Sequence, residues 1–171
     1  MDDRLRNTAL WMLIVAALAA IFLLLDAPSH AQEADAGSVA SSLSGLPAFL
    51  AYFCLSLVVV TGYVYLYTHI TSHDEFKLIE ANVPGAAVSL GLSLLGFAMP
   101  VASAVAHAAN LIDCIVWSVI ALIVQILIYF LVRIPVPDLS KRIEKGELAP
   151  AIWLGLASVT GGLLSAASMT W

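Results

Sequence analysis

Four groupings of side chains in this chain have residue types suited to chemistry. In "HITSHDE", His69 and His73 stand four apart beside Asp74 and Glu75, and on a helix that spacing sets two imidazoles on one face, as a metal site requires. No second Cys or His group completes the ligand set, so the pair reads first as solvated and interfacial. The chain has 2 cysteines, Cys54 and Cys114. A disulfide would be permitted in an exported compartment, but Cys54 should lie deeper in its apolar run than Cys114, which favours two packed thiols. His107 and Asp113 fall at the ends of apolar runs. His107 reads as a boundary residue, and Asp113, beside Asn110, reads as a helix cap or as an attractor of cations.

The fourth grouping is polar residues inside apolar runs: Ser89, Ser93 and Ser103 in one, Gln125 near the middle of another, and Ser158, Thr160, Ser165 and Ser168 in the last. Within a bilayer such hydroxyls can bond carbonyls of their own helix, and bonds across helices contribute about 0.6 kcal/mol on average. Packing is the default reading and a polar pathway the functional one. Pro100 sharpens the alternative, because it has no N–H and clashes with the carbonyl of Gly96, so a kink is expected and the freed carbonyl needs a partner. Ser89, Ser93, Gly96, Pro100, Gln125, Ser165 and Ser168 are therefore the candidate polar pathway or packing seam. There is no H-E-x-x-H, no G-x-S-x-G and no phosphate-binding glycine loop. No enzymatic activity, cofactor or metal is expected.

The elements that must position these residues follow from composition. Hydrophobic residues make up 61% of the chain and charged residues 11%, against about 25% charged in a soluble domain. Four apolar segments, at about 47–68, 86–107, 111–132 and 149–171, approach or exceed the roughly 20 residues that cross a bilayer. The expected fold is all-α, an integral membrane protein with four transmembrane helices. Ahead of them, "MDDRLRNTALWMLIVAALAAIFLLLDAPSHAQEADAG" has two arginines, a short apolar core and small residues at Ser29 and Ala31, the layout of a signal peptide. Residues 1–31 are read as that signal, with cleavage after Ala31 or, secondarily, at Ala36; an uncleaved signal anchor is the alternative. Residues 32–46 then form a flexible periplasmic segment ahead of the 47–171 domain.

Basic residues set the orientation. With Gln32 outside, Lys77 falls in one cytoplasmic loop and Arg133, Lys141, Arg142 and Lys145 in another, as the positive-inside rule requires. The two loops echo each other: Asp74, Lys77, Ile79 and Glu80 match Asp138, Lys141, Ile143 and Glu144 at one spacing (138 − 74 = 64). Tyr65 pairs with Tyr129 in the same register, and Ala98, Ala102 and Ala106 pair with Gly162, Ala166 and Thr170. The pattern reads as two helical-hairpin repeats in parallel, with a pseudo-axis along the membrane normal and small-residue ladders as close-packing seams. Each loop should hold a short interfacial helix. The first is capped by a Ser72–Glu75 box, carries Phe76, Ile79 and Val83 on one face and stops at Asn82; the second is anchored by Leu139 and Ile143 and ends at Gly146.

With these residues assembled, "SHDEFKLIEANVPGAAVSLGLSLLGFAMPVASA", "DCIVWSVIALIVQILIYFLVR", "PDLS" and "GGLLSAASMTW" resemble the YjfL-like family of small bacterial inner-membrane proteins, a domain of unknown function. The resemblance covers about residues 47–171. It implies four spans, an inner-membrane location and a genomic neighbourhood of envelope-stress proteins. This chain has Ser165 where relatives often have Asn. The functional expectation is a membrane scaffold or sensor linked to envelope stress, whose cytoplasmic loops contact anionic lipid or a stress-protein partner through Lys77, Lys141, Arg142 and Lys145. The alternative is a small oligomeric channel or carrier, lined by the second and fourth spans. The small basic patch does not suit nucleic acid.

Overall fold

The computed structural model describes residues 43–71 and 74–169, and its described helices are α1 (Leu46–Ile70), α2 (Glu75–Glu80), α3 (Pro84–His107), α4 (Leu111–Arg133), α5 (Leu139–Glu144) and α6 (Leu148–Ala167). The residues read as a signal (1–31), most of those read as a periplasmic segment (32–46), Ser72, His73, Thr170 and Trp171 lie outside the described residues. Helices α1, α3, α4 and α6 are long and apolar enough to cross a membrane. Even α6, with 20 residues, extends about 30 Å at 1.5 Å per residue, the thickness of the hydrocarbon core. The chain is thus an all-α, multi-span membrane fold.

Local chemistry fixes the helix ends. Pro84 opens α3 at its first position, where a missing N–H costs nothing. Asn110 caps α4: its side-chain oxygen accepts from the Asp113 N–H at 3.0 Å, while Asp113 Oδ2 accepts from the Ala109 N–H at 3.0 Å. The two short helices end alike. Asn82 (φ 59°) follows α2 and Gly146 (φ 87°) follows α5, both in the left-handed region that glycine and asparagine tolerate.

Helices α2 and α5 also share their internal bonding 64 positions apart (75 to 139). Ala81 N–H donates to Lys77 O at 2.9 Å and Lys145 N–H to Lys141 O at 3.2 Å; Val83 N–H donates to Leu78 O at 2.9 Å and Glu147 N–H to Arg142 O at 3.1 Å. Lys77 pairs with Asp74 at 3.4 Å and Lys141 with Asp138 at 3.0 Å. The expected Ser72–Glu75 capping box involves Ser72, which lies outside the described residues. Asp74 stands at the N-cap of α2, and Glu75 opens the helix with its side chain buried.

The chain divides into two compact units at Thr61 and Gly62. In the first, the described part is the start of α1, where Phe49 and Phe53 stack at 5.6 Å and the Ser56 hydroxyl donates to Tyr52 O at 2.8 Å. In the second, α3 lies along α6, α4 touches both, α2 docks on α3, and α5 on α6 and α3. The inward stripe of α4 is Cys114, Ser118, Ala121, Gln125, Tyr129 and Val132, while Ile115, Val119, Ile123, Leu127 and Phe130 face outward. Polarity is inverted relative to a soluble helix. Lipid is as apolar as leucine and supplies no drive to bury it, whereas polar tips in hydrocarbon must find one another.

The α3–α6 crossing is built on missing side chains. A Cβ at Gly96 would overlap the Ser158 carbonyl, and one at Gly162 would overlap the Gly96 carbonyl oxygen, the oxygen that Pro100 leaves without its helical donor. This close approach is the seam, and it corrects the alanine ladder. Ala102 and Ala106 are exposed and Ala98 only half-buried. Two positions along a helix turn it by about 200° at 3.6 residues per turn, so the Ala98 register cannot share the face of Gly96. Tyr65, the expected equivalent of Tyr129, is likewise exposed while Tyr129 is buried.

Candidate functional site: a buried polar seam

Gln125 sits on the inward stripe of α4, level with the α3–α6 crossing. Its Nε2 donates to the carbonyl oxygens of Ser93 at 3.5 Å and Ser158 at 3.4 Å, and the two serine hydroxyls are 3.3 Å apart. Each bond is long and therefore individually weak, but together they join α3, α4 and α6. Ser93, Gln125 and Ser158 are all buried.

Tyrosines from the end of α1 extend the seam. The Tyr63 ring stacks on Phe97 at 4.4 Å, and its hydroxyl interacts with Gln125 and Ser93. One turn later, Tyr67 is buried, and its hydroxyl interacts with the side chain of Ser93. Tyr67 meets Tyr129 edge-on at 6.0 Å. Tyr129 Oη and Ser140 Oγ of α5 are 3.4 Å apart, and Arg133 Nη1 donates to Tyr129 Oη at 3.4 Å with its guanidinium 5.4 Å from the ring centre. A cavity of about 10 Å³ is lined by Tyr63, Tyr67, Gln125, Tyr129 and Ser158, among others.

The seam therefore runs from the end of the bundle that carries α2 and α5 to mid-span, and there it closes. Phe97 and Pro100 are buried, and the Gly96 carbonyl abuts Gly162. Past this closure, the Ser103 hydroxyl donates to Ala166 O at 3.0 Å and His107 Nδ1 to Ser103 O at 2.8 Å.

Of the residues singled out by sequence, Ser93, Gly96, Pro100 and Gln125 are brought together. Ser89 lies one turn away, its hydroxyl donating to Ala86 O at 3.1 Å. Ser165 and Ser168 are elsewhere, on an open groove of about 430 Å³ between α4 and α6 that Trp117 and Gly161 also line. Ser168 returns its hydroxyl to Leu164 O at 2.8 Å, as a serine in lipid does when no neighbour accepts it. Among the basic residues, Lys77 and Lys141 are paired as described, Arg142 pairs with Glu147 at 2.7 Å and Lys145 is exposed. His69 Nδ1 donates to Tyr65 O at 2.8 Å, and among the described residues no three His, Cys, Asp or Glu gather as a metal site. Both cysteines are free and buried.

Sequence reasoning missed Tyr63 and Tyr67 as members of the seam, and it missed the burial of Glu75. The tyrosines had a signal, a polar tip repeated at i, i+4 inside a span. Glu75 had none, because an acid at the start of a short helix reads as a cap.

Such a seam on four spanning helices defines a small, multi-span helical membrane protein. The chain belongs to the family described as Domain of Unknown Function (DUF350), which matches residues 41–169. It is 36% identical over 129 residues to the UPF0719 inner membrane protein YjfL of Escherichia coli (strain K12), across 75% of this chain and 98% of that protein, and equally so to the protein of the same name from Escherichia coli O157:H7. No solved structure matches the chain. The resemblance drawn from the sequence motifs is thus shown, and the whole described seam falls inside the matched residues.

Proposed function

We propose that this protein is a non-enzymatic inner-membrane scaffold or sensor, linked to envelope stress, whose rigid bundle presents α2 and α5 at the cytoplasmic face. The observation that carries this reading is the matched pair of short helices, anchored by buried residues with their charged sides exposed. Leu139 and Ile143 are buried on α5 and Glu75 on α2, while Lys77, Lys141 and Lys145 are exposed, and α2 also carries half-exposed Phe76 and Ile79. Cations beside apolar side chains at a membrane end suit anionic headgroups. Three of the four basic residues are already paired with acids, so the attraction is modest and Lys145 contributes most. The shared spacing and bonding of α2 and α5 support two parallel hairpin repeats, α1–α3 and α4–α6. We further propose that residues 1–31 are the signal or anchor and 32–46 the periplasmic segment, with both ends of the mature chain outside.

A pore lined by α3 and α6 of one chain is disfavoured by the backbone contact at Gly96 and Gly162, which leaves no lumen between them. The test is purified protein in vesicles of phosphatidylglycerol or phosphatidylcholine, with a fluorophore on α5. Anionic vesicles should shift its emission, and Lys141→Glu with Lys145→Glu should abolish the shift. Ion flux that is sensitive to Ser93→Ala and indifferent to Lys141→Glu would overturn the reading in favour of a channel. Single cysteines at Lys77 and Glu147, in a background lacking Cys54 and Cys114, should be shielded from an impermeant thiol reagent in intact cells; labelling there would reverse the orientation.

A further inference from the structure

The cations at the end of the bundle that carries α2 and α5 are not alike. Lys77, Lys141 and Arg142 each face a carboxylate at 3.4 Å or less, and Lys145 is exposed. Arg133, the last residue of α4, is half-buried and forms no ion pair among the described residues. Its side chain is held in place by other means. The guanidinium lies 5.4 Å from the centre of the Tyr129 ring, Nη1 donates to Tyr129 Oη at 3.4 Å, and that oxygen is in turn 3.4 Å from Ser140 Oγ of α5. Tyr129 and Ser140 are both buried, so the support beneath the cation is fixed. The bond to Oη is long and weak, and it commits a single N–H of a group that carries several. The helix end does not call on the others, because Leu131 O accepts from the Ile134 N–H at 3.2 Å and Val132 O from Trp153 Nε1 at 3.3 Å. The dipole at the end of α4 supplies only a partial negative charge. A positioned guanidinium with donors to spare suits a phosphate, which its planar fork can grip through two oxygens.

The apolar side chains around Arg133 supply the second observation. Phe130, one turn earlier on the same face of α4, is 51% exposed and meets Tyr129 edge-on at 5.5 Å. Leu131 and Ile134, on either side of Arg133 in the chain, are 65% and 76% exposed, and Trp153 is 47% exposed with its indole N–H on the carbonyl that precedes Arg133. An indole with its N–H on a helix end and its ring open to lipid belongs at headgroup depth. Arg133 therefore sits where phosphates lie, above side chains that acyl chains can cover. Charge and collar together select a lipid phosphate over a free one.

We propose that Arg133, backed by Tyr129 and Ser140, is a binding site for one anionic phospholipid, with the phosphate on the guanidinium and an acyl chain along Phe130 and Trp153. A net anion is selected because the amine of a zwitterionic headgroup offsets the phosphate that Arg133 neutralises. Since Ser140 belongs to α5, occupancy of the site bears on the helix that carries Lys141. The site deepens the lipid contact proposed above and rests on this end of the bundle meeting headgroups, yet it uses neither Lys141 nor Lys145, so the two can fail separately.

The experiment is native mass spectrometry of the full chain released from nanodiscs that hold equal amounts of phosphatidylglycerol and phosphatidylcholine. The parent chain should retain one phosphatidylglycerol in about fivefold preference to phosphatidylcholine, the equivalent of the roughly 1 kcal/mol that one basic residue contributes at an anionic surface. Arg133→Gln should erase the preference. Arg133→Lys, which keeps the charge but not the fork, should keep only part of it, and it decides the matter where circular dichroism shows that Arg133→Gln has lost its helices. Lys141→Glu with Lys145→Glu should leave the preference intact, and added inorganic phosphate should displace no lipid. Equal retention of the two lipids, an undiminished preference in Arg133→Gln or Arg133→Lys, its loss in the double lysine variant, or displacement by inorganic phosphate would each overturn the proposal.

Discussion

Placing a methyl at Gly162 is the sharpest perturbation of the α3–α6 crossing. The new Cβ would overlap the Gly96 carbonyl oxygen, and its next neighbours are also Gly96 backbone atoms, so no side-chain rotation relieves the clash and the helices must part. Overpacking costs typically 1 to 3 kcal/mol, and a rigid backbone obstacle belongs at the upper end, about 3 kcal/mol. Alanine returns about 1 kcal/mol of helix propensity over glycine, leaving a net loss of about 2 kcal/mol, or roughly 30-fold in the folding equilibrium at 1.4 kcal/mol per tenfold. Gly91 on α3 is the internal control, since its added Cβ meets nothing within 4 Å; Gly91→Ala should be neutral or slightly stabilising. The assay is loss of helical circular dichroism on titrating sodium dodecyl sulfate into mild-detergent micelles, with the two variants compared side by side. Gly162→Ala as stable as the parent chain, or Gly91→Ala the more damaging of the two, would refute the crossing described above.

Other consequences are smaller. Asn110→Ala removes the bond to the Asp113 N–H and should cost about 1 kcal/mol, read in the same titration. Gly146→Ala forces a Cβ into φ 87° at a cost of roughly 1 to 2 kcal/mol, although its Cβ has open space; Asn82→Gly should relieve the milder strain at the matching turn and be neutral to stabilising. Gln125→Leu breaks two long bonds to carbonyls and should cost under about 1 kcal/mol, whereas Gln125→Glu, which cannot donate when ionised, should cost several times more.

The membrane fold was legible in the chain because hydrophobic length is a local property. Runs of about 20 apolar residues admit one solution in lipid, a helix with its own backbone bonds satisfied, and the 64-residue echo of charges located both short helices in advance. The helix stops at Asn82 and Gly146 were equally local, since turn chemistry resides in one or two residues. Family membership was readable for a related reason: the order of motifs from His73 to the final helix is a linear pattern. Which faces meet was not local. The expected alanine ladder and the observed Gly96 register differ by two residues on one helix, and nothing in a uniformly apolar stretch says which side looks inward, because lipid and protein interior are equally greasy. Only the crossing of α3 with α6 decided that, by putting backbone where a side chain would otherwise stand. The same crossing sent Ser165 to an open groove and Ser93 to a buried seam, although both are serines in spanning helices. Tertiary structure alone turned Glu75 inward, because the burial of an acid depends on what other segments bring against it.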